Sequence, residues 1–289
     1  PNKQSMMNEE IEYPPPSLEI AAIDVHAHYG NYTHKGTGLE SGFQSGDAET
    51  VTARAKECNV ELTVVSPLLG LFPRGKADAV EGNEEAGKIV PRTGGLLQWV
   101  IINPLQPQTY DQAREMLALP HCVGIKIHPV EHQYPITEYG EAIFKFAAEQ
   151  KAVVLTHSGD EFSWPDEFIP FANAFPEVPL ILAHLGNGGL ASGRANLQVE
   201  AIKMIKHERV YVDTSSARSI MPRLIEWAVG EIGAERLLFG TDTPLYFTAS
   251  QRARIDYAEI TLEQKRCILR DNAIKLLSLE SIIVVPQVS

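Results

Sequence analysis

Residues 18–28 read LEIAAIDVHAH, and this stretch gives the first indication of both the fold and the site. Its apolar part is typical of a buried β-strand, in which successive side chains point to opposite faces. The alternation predicts that Asp24, His26 and His28 share one face at the strand end. Neighbouring members of such a set lie roughly 6.6 Å apart, so two imidazoles can reach one metal ion. The pair alone is equally compatible with two histidines held by structural hydrogen bonds.

Further apolar, strand-like runs follow along the chain. They lie at residues 61–67, 96–104, 122–129, 151–159, 179–186, 209–216 and 236–244. The stretches between them carry apolar residues at the spacing of an amphipathic helix, as in Ile143, Phe144, Phe146 and Ala147. Eight strand–helix units predict an α/β fold, a (β/α)8 TIM barrel. A doubly wound open sheet is the alternative, but no Gly-x-Gly-x-x-Gly follows the first strand.

The length and composition suit one large globular domain. The chain has 289 residues, of which 44% are hydrophobic and 21% are charged, and an α/β barrel commonly takes about 250 residues. The stretch YPPPS at residues 13–17 is stiff and extended. We therefore predict an extended N-terminal arm over residues 1–17, a barrel domain over 18–280 and a C-terminal tail over 281–289.

The charge balance and the cysteines limit the partners and the compartment. With 25 Lys and Arg against 37 Asp and Glu, the formal net charge is −12, which disfavours binding to nucleic acid or to an anionic membrane. The three dispersed cysteines form neither a disulfide framework nor a Cys-x-x-Cys metal site. No apolar run approaches the ~20 residues of a membrane span, and the polar, acidic start is unlike a signal peptide. We expect a cytoplasmic protein with a small-molecule partner.

Several predicted strands end in polar residues that are capable of chemistry. These are His26, His28, Lys126, His128, His157, His184, Asp213 and Asp242. In a barrel the carboxyl ends of all strands meet at one mouth, so these residues converge. A divalent cation would compensate the burial of such histidines and carboxylates. This residue set favours Zn²⁺, with Mn²⁺ or Fe²⁺ as alternatives.

A set of six motifs carries a family resemblance. DVHAH (24–28), GIKIHP (124–129), LTHSG (155–159), LILAHLGN (180–187), VYVDTSS (210–216) and LLFGTDTP (237–244) occur in this order. Together they resemble the amidohydrolase-related (amidohydrolase 2) branch of the metal-dependent amidohydrolase superfamily, which includes decarboxylases similar to aminocarboxymuconate semialdehyde decarboxylase. The resemblance extends from about Ile20 to Leu277.

The resemblance implies a single divalent metal with a defined set of residues around it. The implied metal ligands are His26, His28, His157 and Asp242. It also implies that His184 holds or deprotonates a metal-bound water and that Asp242 shuttles a proton. Relatives imply a homodimer.

Four other residues are candidates for supporting roles. Lys126 and His128 are predicted to face into the barrel, where they are candidate substrate-binding residues, and Arg218 is a third candidate in the loop after the seventh strand. Asp213 is a candidate for orienting a metal-bound histidine, since such imidazoles usually need a partner for their other nitrogen.

Three functions are compatible with these residues. The leading hypothesis is a metal-dependent hydrolase in which an activated water attacks an amide, lactone or related carbonyl. The alternative is a metal-dependent non-oxidative decarboxylase of a small carboxylated substrate, which uses the same ligands. A metal-binding protein without catalysis is the third, and it leaves His184 without a purpose. Cationic residues at the mouth, with Arg218 and Lys126 as candidates, would favour the decarboxylase.

Overall fold

The structure is a computed structural model that describes residues 14–33, 38–188, 194–215 and 220–283. Its centre is an eight-stranded sheet of neighbouring parallel strands in the order β1 to β8. The strands are β1 (Ala22–Tyr29), β2 (Val60–Pro67), β3 (Leu96–Ile101), β4 (Cys122–Ile127), β5 (Val153–Thr156), β6 (Leu180–Leu182), β7 (Val210–Asp213) and β8 (Leu237–Leu238).

Backbone hydrogen bonds join the first strand to the last one. The N–H of Val25 donates to the carbonyl of Phe239 at 2.9 Å, and the N–H of His28 donates to the carbonyl of Thr243 at 2.7 Å. The sheet therefore forms a nearly closed barrel, and the (β/α)8 prediction is confirmed.

Helices connect the strands. They are α1 (Gly38–Phe43), α2 (Ala48–Glu57), α3 (Ala79–Ile89), α4 (Gln108–Met116), α5 (Pro129–His132), α6 (Ile136–Gln150), α7 (Ile169–Ala174), α8 (Leu197–Lys203), α9 (Leu224–Ile232), α10 (Thr248–Asp256), α11 (Leu262–Arg266) and α12 (Asn272–Leu277). A π-helical segment, Cys267–Asp271, joins the last two. Short 3-10 helices lie at Pro16–Glu19, Leu68–Gly70, Val90–Arg92, Pro165–Phe168 and Ala234–Arg236.

Side-chain caps explain where several helices begin. The Asp47 carboxylate accepts from the N–H of Thr50 at the start of α2, and Asp78 accepts from two N–H groups at the start of α3. Thr261 and Gln264 form a reciprocal capping box on α11. Each cap satisfies N–H groups that have no partner inside the helix.

The buried apolar residues form two main clusters. The larger one packs strand residues such as Ile125 and Val154 against helix residues such as Phe144. A second cluster contains Val64, Trp99 and Leu155. A Cβ placed on Gly124 would lie 2.5 Å from the Trp99 ring, so this ring fills the space that a larger side chain on β4 would need.

Strict alternation does not hold along β1. The pairing of β1 with β2 shifts register between Asp24 and Ala27, as in a β-bulge, which changes the face that following residues present. Asp24 bonds to Thr241 across the β1–β8 junction and is not among the residues that line the mouth pocket. The register shift thus interrupts the alternation on which the shared face of Asp24, His26 and His28 was predicted.

Most of the predicted N-terminal arm and C-terminal tail lie outside the described residues, so the domain boundaries stay predictions. Within the described ranges, no helix is long and apolar enough to cross a membrane.

Candidate active site

A pocket of about 430 Å³ opens at the mouth of the barrel. The predicted site residues that line it are His26, His28, His128, His157, His184 and Asp242. They come from the ends of β1, β4, β5, β6 and β8. The convergence that the strand ends predicted is present in the structure.

The outer nitrogens of the two β1 histidines are held by acceptors. His26 Nδ1 lies 2.8 Å from a carboxylate oxygen of Asp213, and His28 Nδ1 lies 2.9 Å from the backbone carbonyl of Ser66. Neither oxygen has a proton to donate, so each Nδ1 carries a hydrogen. In a neutral ring, the lone pair is then on Nε2. Asp213 has the orienting role that the sequence analysis suggested for it.

Those two Nε2 atoms face the carboxylate of Asp242. His28 Nε2 lies 3.0 Å from Asp242 Oδ1, and His26 Nε2 lies 3.7 Å from the same oxygen. His26, His28 and Asp242, hereafter the mouth cluster, are all buried and offer one ligand atom each within 4.8 Å of one another. Acceptors at such distances repel unless a proton or a cation lies between them. Two imidazoles and a carboxylate are the ligands of a divalent metal, so these residues fit the metal that the sequence predicts.

The backbone conformations at two strand ends are unusual. Asp242 has φ 57° and His184 has φ 71°, a left-handed region that non-glycine residues seldom adopt and that is common at functional sites. The N–H of Asp242 donates to the carbonyl of His26 at 2.7 Å, and the N–H of His184 donates to Asp213 at 3.0 Å. These bonds aim both side chains into the mouth.

Burial sets the protonation states that a metal centre needs. It lowers the pKa of His26 well below its ordinary value, with Lys126 as a further cause, and it lowers the pKa of His184 to about 3. Both imidazoles are therefore neutral at pH 7. Burial raises the pKa of Asp242, but the contact with His28 and the other neighbouring imidazoles outweigh it and hold this pKa below its ordinary value. The carboxylate is ionised.

His157 lies beside the mouth cluster and is not one of its three members. Its Nδ1 is 3.0 Å from His184 Nε2, and its Nε2 is 2.7 Å from a carboxylate oxygen of Asp160. The ring stacks on His128, with centroids 4.3 Å apart and planes at 10°. The ligand role that the resemblance implies for His157 is a proposal.

A second group, His26, His184 and Asp213, also places its potential ligand atoms close together. Here the oxygens already have donors, because Asp213 Oδ1 accepts from the N–H of His184 and from the N–H and hydroxyl of Ser215. This group is a satisfied hydrogen-bond network that supports the mouth cluster.

Of the three predicted substrate-binding residues, the structure describes Lys126 and His128. Lys126 is fully buried and is not among the pocket-lining residues; its Nζ lies 3.0 Å from His26 Nε2, and burial lowers its pKa to about 8. Arg218 lies outside the described residues. His128 lines the pocket as predicted, and its Nδ1 caps α5 by accepting from the N–H of Glu131 at 3.4 Å.

The sequence analysis missed several pocket residues. Arg74, in the loop after β2, makes an ion pair of 2.7 Å with Glu131, whose side chain is 6% exposed. Tyr32 and Phe72 pack edge to face at 5.0 Å on one wall. Arg74, Tyr32 and Phe72 lie in loops, where no periodic pattern marks them. Only Asp160 had a feature in the sequence that could have marked it as a site residue, because it lies three residues after His157, a candidate metal ligand.

The protein is a barrel whose buried histidine–aspartate centre fits a divalent metal. The amidohydrolase family model matches residues 23–279, so the chain belongs to the amidohydrolase family, and it is an enzyme of that superfamily. No curated protein matches the chain.

Solved structures share the fold at low sequence identity. 2,6-Dihydroxybenzoate decarboxylase from Rhizobium is 14% identical with a TM-score of 0.70, covering 90% of this chain and 99% of that one. Dihydroxybenzoic acid decarboxylase from Polaromonas sp. JS666, with bound manganese and the inhibitor 2-nitroresorcinol, is 14% identical with a TM-score of 0.68, covering 90% and 97%. A candidate 2-pyrone-4,6-dicarboxylic acid hydrolase from Pseudomonas putida is 17% identical with a TM-score of 0.64, covering 91% and 99%.

Proposed function

We propose that the protein is a divalent-metal-dependent, non-oxidative decarboxylase of a small carboxylated substrate. The observation that carries the proposal is the mouth cluster, where two Nε2 lone pairs and an ionised carboxylate oxygen face one another in a closed-in pocket. The similar structures named as decarboxylases support this alternative over the hydrolase that the sequence analysis favoured.

His26, His28 and Asp242 would hold the metal, with His157 as the fourth proposed ligand. When bound, a divalent metal supplies a Lewis acid that draws electron density from a substrate oxygen. The manganese in a similar structure supports Mn²⁺ beside the Zn²⁺ that the residue types favour. Asp213 and the Ser66 carbonyl keep the two β1 imidazoles oriented for this task.

One cationic side chain in the pocket can contact a carboxylated substrate. Arg74 is the only arginine or lysine among the described residues that line the pocket; it forms an ion pair with Glu131, and its remaining N–H groups can donate to a substrate carboxylate. Tyr32 and Phe72 offer an apolar surface on which a planar group can lie. Lys126 acts from beneath, as a buried positive charge next to His26.

Decarboxylation breaks the bond between a substrate carbon and its carboxylate, releases CO₂ and requires one proton at that carbon. His184 and Asp242 both line the pocket and are the residues we assign to proton handling. The His184 ring is fixed because its Nδ1 lies 2.8 Å from the Ser215 hydroxyl. Its Nε2 is then the atom that can exchange a proton with substrate or solvent.

Hydrolysis of a lactone or related carbonyl is the second candidate. It is favoured by the similar structure described as a candidate 2-pyrone-4,6-dicarboxylic acid hydrolase. In this case His184 and Asp242 would take a proton from the attacking water instead of supplying one to carbon. The homodimer that relatives imply stays a prediction.

One assay separates the two candidates. The protein loaded with Mn²⁺ or Zn²⁺ is incubated in D₂O with 2,6-dihydroxybenzoate, related aromatic carboxylates and 2-pyrone-4,6-dicarboxylate, and the products are followed by NMR and CO₂ detection. CO₂ release with one deuterium at the vacated carbon supports decarboxylation. Ring opening of a lactone without CO₂ would replace it with hydrolysis.

A further inference from the structure

Asp160 follows β5 by a short turn and places its carboxylate on the outer nitrogen of His157. The distance from Asp160 Oδ2 to His157 Nε2 is 2.7 Å. The His157 and Asp160 side chains are 13% and 27% exposed, so the contact is sheltered at the rim of the mouth pocket. Neither the catalytic nor the substrate-binding roles described above use Asp160.

The contact decides which nitrogen of His157 carries the proton. A carboxylate accepts hydrogen bonds and donates none, so Nε2 carries a hydrogen, and in a neutral ring the lone pair is on Nδ1. That Nδ1 lies 3.0 Å from His184 Nε2, so a proton or a cation must lie between the two nitrogens. The His184 ring is tilted against His26 with centroids 4.8 Å apart, so the lone pair of His157 lies next to the mouth cluster.

Stacking on a neighbouring ring fixes the plane of the His157 imidazole, but it does not determine on which side of the ring Nδ1 lies. The His128 ring stacks on it at 4.3 Å with planes at 10°, and this contact survives a half-turn of the imidazole about its long axis. Such a turn would exchange the positions of nitrogen and carbon in the ring. The Asp160 carboxylate removes the ambiguity, because only one orientation places an imidazole N–H against it.

The turn that holds Asp160 is built rigidly. Asn187, from the loop after β6, donates from Nδ2 to Asp160 Oδ2 at 3.0 Å and to the carbonyl of Ser158 at 2.8 Å. Gly159 has φ +95°, and a Cβ there would lie 2.2 Å from the Asn187 carbonyl oxygen. Only glycine permits the two loops to approach so closely. The position of the carboxylate is therefore set by two strand-end loops together.

We infer that Asp160 is a positioning residue that fixes the His157 imidazole with its Nδ1 lone pair facing the metal centre. The part of this inference that makes His157 a metal ligand rests on the proposed function. Partners of this kind on metal-bound histidines typically change metal affinity by about 10–100-fold when removed.

The test compares Asp160→Ala and Asp160→Asn with Glu161→Ala, a matched control that removes the adjacent, exposed acid lining the same pocket. The first readout is the tautomer of His157 in metal-free protein, from long-range ¹H–¹⁵N spectra of the imidazoles. The second is Mn²⁺ and Zn²⁺ affinity by chelator competition, with thermal melting as the check on folding.

The wild type and the Glu161→Ala variant are expected to show His157 protonated at Nε2. Asp160→Asn keeps this tautomer because its amide oxygen accepts the same hydrogen bond, whereas Asp160→Ala loses it. Metal affinity falls by about 10–100-fold in Asp160→Ala and by much less in Asp160→Asn.

Two results would separate the inference about Asp160 from the proposed function. An Asp160→Ala variant with the wild-type tautomer and wild-type metal affinity overturns the inference and leaves the proposed function standing. A wild type that shows the expected tautomer pattern but takes up no metal supports the positioning role and overturns the proposed function.

Discussion

The two ends of the barrel each bury a cluster of charged and polar groups, but only one of the clusters is internally satisfied. At the end opposite the mouth, Arg252 and Asp256 form an ion pair of 2.9 Å, with side chains 3% and 1% exposed. Ser17 donates to the same carboxylate at 2.7 Å, and Arg252 also donates to the carbonyls of Ser17 and Ile20. We call Ser17, Arg252 and Asp256 the bottom clamp.

The mouth cluster has the opposite arrangement. With neutral imidazoles, His28 Nε2 and Asp242 Oδ1 are both acceptors and lie 3.0 Å apart, whereas every contact in the bottom clamp joins a donor to an acceptor. A buried polar set without internal partners is costly unless something binds to it. This difference indicates that the bottom clamp serves stability and ties the N-terminal segment to the barrel, while the residues of the mouth cluster fit a cation.

The largest expected effect is the loss of activity on removing the carboxylate of the mouth cluster. Asp242→Ala leaves two neutral imidazoles without the charge that balances the cation, so turnover should fall by at least about a thousandfold. Steady-state kinetics of the CO₂ assay measure it, with circular dichroism to show an intact fold. A variant that retains a tenth of the activity would place the chemistry elsewhere.

Substitutions in the bottom clamp should lower the free energy of unfolding without changing metal affinity. Arg252→Ala leaves Asp256 as an uncompensated buried charge, which costs about 3–5 kcal/mol in the free energy of unfolding. The control is Arg223→Ala, at an exposed ion pair with Glu259 (66% and 57% exposed), where about 0–1 kcal/mol is expected. Urea unfolding measures both. Equal losses of unfolding free energy in the two variants would show that the bottom clamp contributes no more to stability than an exposed ion pair does.

An intermediate effect is expected where the support of the mouth cluster is weakened. Asp213→Asn replaces the acceptor of His26 Nδ1 by an amide that can present a donor instead, so metal affinity should fall by about 10–100-fold. Chelator competition measures it against Asp166→Asn, an exposed acid outside the site. Unchanged affinity would show that the β1 histidine needs no partner.

The smallest expected effect is a pH dependence at the mouth end. His132 is 4% exposed, donates to the Gly70 carbonyl, and burial lowers its pKa to about 4. The unfolded state, with an ordinary histidine pKa near 6.5, binds more protons between these values. The contribution of neutral His132 to the free energy of unfolding is thus complete above pH 6.5 and is lost as pH falls toward 4. The loss is about 2 kcal/mol between pH 7 and pH 5.

The variant His132→Gln isolates this contribution. Glutamine can donate to the same carbonyl but does not titrate, so its unfolding free energy should fall by about 2 kcal/mol less than that of the wild type over the same pH range. Denaturant unfolding at pH 7 and pH 5 gives the difference. Parallel curves for the two proteins would show that His132 does not titrate on unfolding.

The sequence predicted what depends on periodicity. The barrel, its eight strands and the convergence of His26, His28, His184 and Asp242 all follow from alternation and from where each strand ends. The face of Asp24 did not follow, because the register shift in β1 interrupts the period of two. Lys126 was placed toward the interior, but its full burial depends on the packing of neighbouring strands.

Contacts between residues of different loops could not be predicted from the sequence, for a different reason. The Arg74–Glu131 pair spans 57 positions and the Asp160–Asn187 contact spans 27, and no local pattern links such residues. Loop residues acquire their roles from the scaffold that brings the loops together.

The central claim is that the mouth cluster holds a divalent cation. Crystals grown with Mn²⁺ and measured at the manganese absorption edge test it directly by anomalous diffraction. We expect one peak per chain, within bonding distance of His26 Nε2, His28 Nε2 and a carboxylate oxygen of Asp242, with His157 Nδ1 turned toward it. A map without a peak at the barrel mouth, in protein that is fully folded, would show that the mouth cluster does not hold a divalent cation.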